Sequence, residues 1–537
     1  MIADVHRHPR DVTTYDRVRA WNAPAYNTLV VASVVFGCML RIAQYASNRS
    51  LWFDESALTL NILGRSAGAL LRPLAFEQAA PPGFLLVEKA ATGLFGASEY
   101  ALRLFPLLCG LAALPLFALL ARRVLGPWST AFATLLFACA ADLTYYAAEV
   151  KQYSTDVTAT VVLLFLGVRL WERPVRRWRT AIGFAAGGCV VFFSYAAVFA
   201  AAAIAVVLAA RELVRRSQRF TPVLAVACAW GVASLLVVVL SRHTTAGVLA
   251  AFKSDKSAYV GTSSGNVLPS LREPPSSLAE DIAGLPLPSL LYWATVVVAL
   301  VGLIGIARRR FAYAGFFVGT GVLMLIASSL HKYPIADRTV LFLVPIAVLL
   351  LAEGVTNVAA AVRRPTARTA LAAALAVGIL ALPGWRAVRR VVHPEKHEEI
   401  KSALSIIRSD WRPTDTFYVS YPTQFALRYY LECGCFDTPR WPFGRSDVHN
   451  SEDSVPLRSR RPNLIAGLAP LGGRNTYVSD IKKLEGRRRV WLLYSHVRTA
   501  GELTYLRRGL PRELAAFGRV RRVFIAPGVT LFLYDLR

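Results

Sequence analysis

Apolar runs long enough to cross a bilayer recur along this chain, separated by short polar or basic stretches. A hydrocarbon core of about 30 Å needs about 20 helical residues at 1.5 Å each. The first such run is 27–47 (NTLVVASVVFGCMLRIAQYAS). Others lie near 101–121, 127–146, 155–171, 180–194, 196–210, 221–240, 287–306, 312–330, 339–360 and 369–388. The pattern predicts an α-helical polytopic membrane protein with about eleven transmembrane helices. The stretch 180–210 reads as two short helices with Ser194-Tyr195 at the tip, because a single tilted pass would export the later arginine clusters. The segment 82–96 (PGFLLVEKAATGLFG) is short and carries Glu88 and Lys89, so it reads as a helix lying at the interface.

After residue 388 the periodicity changes. Helix-period runs (EEIKSALSIIRSDW, TQFALRYYLE, ELTYLRRGLPRELAAF) alternate with β-rich runs (DTFYVS, RRVWLLYS, RRVFIA, VTLFLYDL). The organisation expected is a transmembrane module over 1–388 and a soluble α/β domain over 389–537. Hydrophobic residues make up 55% of the 537 and charged ones 18%, with a mean hydropathy of +0.43. Such values exclude a soluble enzyme and a disordered tail.

The net charge of +27 invites a nucleic-acid reading until the charges are placed. Arg122-Arg123, Arg173 to Arg179, Arg211 to Arg219, Arg308 to Arg310 and Arg363 to Arg368 all fall between spans. Eleven spans put every one of these clusters, and the N-terminus, in the cytoplasm, and put the C-terminal domain outside. Most of the basicity is thus a topology signal, and no nucleic-acid partner is expected. Of the seven Cys, five (Cys38, Cys109, Cys139, Cys189, Cys228) sit in apolar runs and read as small buried hydrophobes. Cys433 and Cys435 admit either a tight disulfide or two reduced thiols.

Three expected outer segments, 48–100, 142–156 and 241–286, and the short link 331–338 hold the candidate chemistry. Directly after the first span comes Leu51-Trp52-Phe53-Asp54-Glu55-Ser56. Adjacent carboxylates raise one another's pKa, and one of them could take a proton from an incoming hydroxyl. The plain alternative is an acidic pair favouring the N-terminus of the next helix. In the second segment, Glu149, Tyr153 and Asp156 share one face if the stretch is helical, with Lys151 and Gln152 between them. Such charges at the mouth of two spans are costly against lipid and should face a protein-lined cavity; the alternative is a solvated rim. Arg338, at the outer end of a span, offers a donor fork suited to phosphate, or snorkels to headgroups. Arg242, His243, Lys253 and Lys256 are weaker phosphate candidates. Aromatics of the soluble domain (Trp411, Tyr418, Tyr421, Tyr429, Tyr430, Trp441) could stack on sugar or form the core.

On these residues the chain resembles polytopic membrane glycosyltransferases of the GT-C class, near the protein O-mannosyltransferase and aminoarabinose-transferase group (glycosyltransferase family 39-like). That group has an Asp-Glu pair just after the first span, as Asp54-Glu55 here. A Pro-Pro element, a short helix and an Arg-led span follow, as in Pro81-Pro82-Gly83-Phe84 and Ala101-Leu102-Arg103-Leu104. Its second-loop patterns match Glu149-Val150-Lys151-Gln152-Tyr153 and Lys151 to Asp156, and its late outer Arg matches Arg338. The resemblance implies a polyprenyl-phosphate sugar donor and inverting transfer to a glycan, lipid or protein acceptor outside the bacterial cytoplasmic (inner) membrane. It implies Asp54 as the base with Glu55 assisting, and Glu149, Lys151, Tyr153, Asp156 and Arg338 as substrate-binding residues. No nucleotide cofactor is implied, and a divalent metal is left open. The chain departs from the group at Ala79-Ala80, before Pro81, where aminoarabinose transferases carry a charged residue that contacts phosphate and some relatives a His. No metal ligand is therefore assigned. Rival readings are a transporter or flippase of lipid-linked sugars, and a non-catalytic scaffold of cell-envelope assembly.

Overall fold

The computed structural model describes residues 24–173, 177–214, 221–253, 286–335, 337–433, 457–467, 482–496, 500–515 and 518–536, with a few isolated positions between them. The chain divides into two compact units interleaved in sequence. One comprises Met1–Ala46, Ala80–Phe84 and Phe105–Pro394; the other comprises Ser47–Ala79, Leu85–Leu104 and Glu395–Arg537.

In chain order the helices through the apolar region are α1 (Pro24–Ala46), α2 (Phe53–Gly64), α3 (Pro82–Phe95), α4 (Glu99–Val124), α5 (Pro127–Cys139), α6 (Ala141–Tyr146), α7 (Tyr153–Glu172), α8 (Trp178–Gly187) and α9 (Ala197–Val214). They continue as α10 (Pro222–Thr244), α11 (Ala246–Lys253), α12 (Ser289–Arg309), α13 (Phe311–Ser329), α14 (Val344–Ala360) and α15 (Pro365–Val392). Among the described residues nine helices are long and apolar enough to cross a membrane. Helices satisfy every backbone group internally, which lipid cannot do for them. Two of the expected spans are shorter helices. The run 127–146 breaks at Ala140 (φ −55°, ψ 120°) into α5 and α6. The run 180–194 is α8 continued by a 3₁₀ turn over Gly188–Phe193, and ends where Ser194 turns extended (φ −155°, ψ 117°). That break is the tip the sequence pattern predicts. The segment 82–96 is the helix α3.

Packing in the helical unit relies on small residues. A Cβ on Gly302 of α12 would run into the backbone of Leu350 and Gly354 of α14, and one on Gly354 into Val298 O. The two backbones therefore touch, as is common where lipid removes the hydrophobic drive between helices. Large side chains such as Leu290, Trp293, Phe311 and Trp385 face outward, a surface suited to lipid and poorly suited to water. Cys189 and Cys228 are exposed there as well, contrary to the expectation of burial; an outward apolar position on a lipid-facing helix costs nothing. Polar ends are tied together: Glu172 of α7 accepts from Arg123 (2.5 Å), Arg310 (3.0 Å) and the Tyr313 hydroxyl (2.9 Å).

The second unit carries a five-stranded sheet of β1 (Thr416–Val419), β2 (Leu464–Ala466), β3 (Arg489–Ser495), β4 (Gly518–Ala526) and β5 (Val529–Leu536). Its spatial order is β2-β1-β3-β5-β4. Strand β1 runs parallel to β2 and β3, whereas β5 is antiparallel to both β3 and β4. Every residue of β3 is buried, so both faces of the sheet are covered. One face packs Val490, Leu492, Tyr494, Phe532 and Tyr534 against Leu506, Leu510 and Leu514. Two helices, α16 (Ile400–Asp410) and α17 (Tyr421–Glu432), complete the unit's α/β character. Edge strand β4 bears exposed Arg519, Arg521 and Arg522, charges that discourage pairing with another chain. Tyr418, Tyr429 and Tyr430 are buried core or anchor residues. Cys433 is disulfide-bonded; Cys435 and Trp441 lie outside the described residues, as do Lys256 and the side chain of Lys253.

Candidate active site

The acidic pair belongs to the second unit, in the first turn of α2. Asp54 is half-buried, whereas Glu55 is fully buried. Arg103 of α4 holds Glu55 with a two-pronged fork: Nε donates to Oε1 at 2.9 Å and Nη2 to Oε2 at 2.8 Å. Arg103 Nη1 also donates to Arg49 O at 2.7 Å, and Nη2 to Ser50 O at 3.2 Å. Arg49 adds a second guanidinium 3.4 Å from Glu55 Oε2. Glu55 also accepts from the Trp52 amide at 3.5 Å, an acid at the third helical position reaching back to the cap. Both oxygens of Glu55 are thus committed. Glu55 is the shared counter-ion of two buried guanidiniums, an arrangement costly to break from either side. Asp54 precedes it by one residue in the same first turn of α2.

The loop leading into α2 is held at each residue. Ser50 N donates to Glu399 Oε1 (3.2 Å), Leu51 N to the Tyr430 hydroxyl (3.0 Å), and Lys401 N to Ser50 Oγ (3.1 Å). Burial and then Glu99 push the Tyr430 phenol well above its ordinary range, so it stays a neutral hydroxyl. From α2, the Asn61 side chain pairs with the main chain of Ala75, accepting from its N at 2.8 Å and donating to its O at 3.2 Å. There follow two consecutive left-handed residues, Phe76 (φ 62°) and Glu77 (φ 53°). Such strain in bulky residues persists where the surroundings enforce it, commonly at functional sites. Burial and then Glu77 raise the pKa of Tyr421.

The second-loop residues form a cluster in the helical unit. The stretch is not one helix: α6 ends at Tyr146, a turn carries Glu149 and Lys151, and α7 starts at Tyr153. Lys151 N donates to Glu149 O at 2.7 Å within that turn, so Glu149 does not share a helix face with Tyr153 and Asp156. Burial nevertheless brings them inside: Glu149 is 0%, Lys151 6%, Tyr153 8% and Asp156 6% exposed. The Arg338 guanidinium lies 5.6 Å from the Tyr153 ring centre. Tyr146 packs edge-on to Tyr153 at 5.1 Å. Burial, then Glu149, push its phenol well above the ordinary value, with Arg338 pulling against them. Asp156 faces Ser194. Tyr333 is raised well above its usual range by burial, then by Asp156 and Tyr153. Charges so placed are paired or line a protein-walled cavity, since lipid penalises each by roughly 2.5–3.5 kcal/mol or more. Arg242 and His243 are exposed in the last turn of α10.

Sequence reasoning missed Arg41. It is 1% exposed in α1, donating to Gly37 O (3.0 Å) and Ala138 O (3.4 Å), and its Nε has no hydrogen-bond partner among the described residues. It lines a crevice with Tyr146, Tyr153 and Ser154. The signal was a lone arginine inside an apolar span, which is rarely neutral in meaning. The Pro-Pro element sits in the same unit, with the Tyr195 hydroxyl donating to Ala80 O at 2.9 Å. Among the described residues no three His, Cys, Asp or Glu side chains gather as a metal-ligand set.

The profile of the dolichyl-phosphate-mannose-protein mannosyltransferase family matches residues 79–240. Apo ArnT from Cupriavidus metallidurans is similar with a TM-score of 0.50 and 14% identity, over 95% of this chain and 98% of that one. The Archaeoglobus fulgidus oligosaccharyltransferase in complex with Zn and sulfate gives 0.51 and 14%, over 95% and 73%. The same organism's AglB, with an inhibitory peptide and a dolichol-phosphate, gives 0.50 and 12%, over 96% and 74%. At these identities the likeness shows the fold, which is the GT-C fold of membrane glycosyltransferases. No curated protein sequence matches the chain.

Proposed function

We propose that the chain is a polyprenyl-phosphate-sugar-dependent glycosyltransferase of the bacterial cytoplasmic membrane. Residues 1–388 would form the membrane module and 389–537 the domain outside, with the N-terminus cytoplasmic, as the basic clusters between spans support. The acceptor hydroxyl gives its proton to Asp54 while its oxygen attacks the sugar's anomeric carbon. The bond from that carbon to the phosphate oxygen breaks, the configuration inverts, and polyprenyl phosphate departs with the electron pair. Arg338 and Lys151, joined by Arg41, stabilise the growing phosphate charge electrostatically. Glu149, Tyr153 and Asp156 orient the sugar. AglB, of the same fold, is a structure with a dolichol-phosphate bound, which supports a lipid-phosphate donor here. The acceptor is a hydroxyl-bearing glycan, lipid or protein.

The observation that carries this reading is Arg338 against Tyr153, beside buried Glu149 and Asp156, at the head of a spanning segment. Its test is a structure determined in nanodiscs supplied with undecaprenyl phosphate. The reading expects phosphate density within hydrogen-bond reach of Arg338 or Arg41. Lipid phosphate found nowhere near either guanidinium, with the cluster packed shut, would overturn it.

A further inference from the structure

The α/β domain is more than a passenger in the second unit. Strands β1 and β3 are parallel and end at Val419 and Ser495, and the C-terminal edge of parallel strands is where open α/β sheets place their working residues. That edge is locked by side chains. Ser420 and Thr423 hydroxyls lie 2.7 Å apart, and Ser495 N donates to Thr423 Oγ1 at 2.8 Å. The next residue, His496, is 7% exposed and left-handed (φ 60°), an uncommon state for this side chain. Its Nδ1 is 2.8 Å from Glu398 Oε1, a contact that fixes the orientation of the ring. The ring is 4.7 Å from Phe53 and stacks on Trp52 at 6.1 Å. Phe53 is also gripped edge-on by Phe425 at 4.9 Å, and Trp52 meets His397 at 5.5 Å. Trp52 and Phe53 are the two residues directly before Asp54.

We propose that His496, fixed by Glu398, is a positioning residue for Asp54, so that the C-terminal domain is a working part of the transferase. The strained backbone at His496 delivers the ring to Trp52 and Phe53, whose planes then set where the first turn of α2 points its carboxylate. Misplacing a reacting group by about 1 Å costs on the order of a hundredfold in rate. The inference rests on Asp54 being the base.

The test is steady-state transfer by full-length protein in proteoliposomes, with undecaprenyl-phosphate sugars as donors. His496→Ala should lower kcat by about 10–100-fold with donor KM within about twofold, and His496→Gln, which can still donate to Glu398, should recover part of the loss. Leu510→Ala, in the apolar core with Leu492 and Phe532, destabilises the domain; matched for melting temperature, it should leave kcat nearly unchanged. In an Asp54→Asn background, His496→Ala should change the residual rate less than about twofold, because both act through one step. Equal kcat losses in the His496 and Leu510 variants, or full additivity with Asp54→Asn, would overturn the proposal. If Asp54→Asn itself transfers at the wild-type rate, the base assignment fails instead, whatever the His496 variants do.

Discussion

Replacing Arg103 by Met removes four hydrogen bonds: two to Glu55 and two to the carbonyls of Arg49 and Ser50. Glu55 keeps Arg49 at 3.4 Å and stays fully buried. Taking one partner from a buried ion pair costs about 3–5 kcal/mol, since the other charge is stranded. For a unit of this size each kcal/mol moves the melting temperature by about 2–4 °C, so the transition should fall by roughly 6–20 °C. Arg103→Lys keeps the charge without the fork and should recover part of that. The assay is thermal unfolding of detergent-purified protein, completed as a double-mutant cycle with Glu55→Gln. A coupling of more than about 0.5 and up to about 3 kcal/mol is expected. Arg103→Met melting with the wild type, or a coupling near zero, refutes the keystone role of Glu55.

Three further outcomes are expected. Arg338→Met and Arg41→Met should each weaken binding of undecaprenyl phosphate by about tenfold or more, read by native mass spectrometry or quenching in nanodiscs, because charge-assisted hydrogen bonds contribute roughly 1.5–3 kcal/mol. Gly354→Val should prevent the close approach of α12 and α14 and yield little folded protein, whereas Gly231→Ala, whose Cβ meets nothing, should express normally. Asn61→Ala should leave the Ala75 backbone without its buried partners at a cost of about 1–3 kcal/mol, seen as faster proteolysis at 72–80.

The spans were legible because lipid leaves no other way to satisfy a backbone, and the Ser194 break was legible because basic clusters flank it. The break at Ala140 was not: no Gly or Pro marks it. The turn at Glu149 likewise lies in a polar run that fits helix spacing equally well. Strand β2, three residues long, gave no alternation to read. The motif Asp54-Glu55 gave no sign of the buried fork that holds Glu55, because Arg103 lies 48 residues on from it. His496 and Glu398 were invisible for the same reason. The contacts of His496 with Trp52 and Phe53 join segments hundreds of residues apart, and neither His496 nor Glu398 sits in a pattern that local periodicity can reveal.

The central claim is transfer from a polyprenyl-phosphate sugar with Asp54 as base. Its most direct test is single-turnover release of undecaprenyl phosphate from a panel of undecaprenyl-phosphate hexoses and pentoses in proteoliposomes, comparing wild type with Asp54→Asn. The account predicts that at least one donor is consumed by the wild type, and that Asp54→Asn lowers that rate by at least about a hundredfold while donor binding persists. Release at the wild-type rate by Asp54→Asn would contradict it, as would sugar crossing the membrane with its phosphate bond intact.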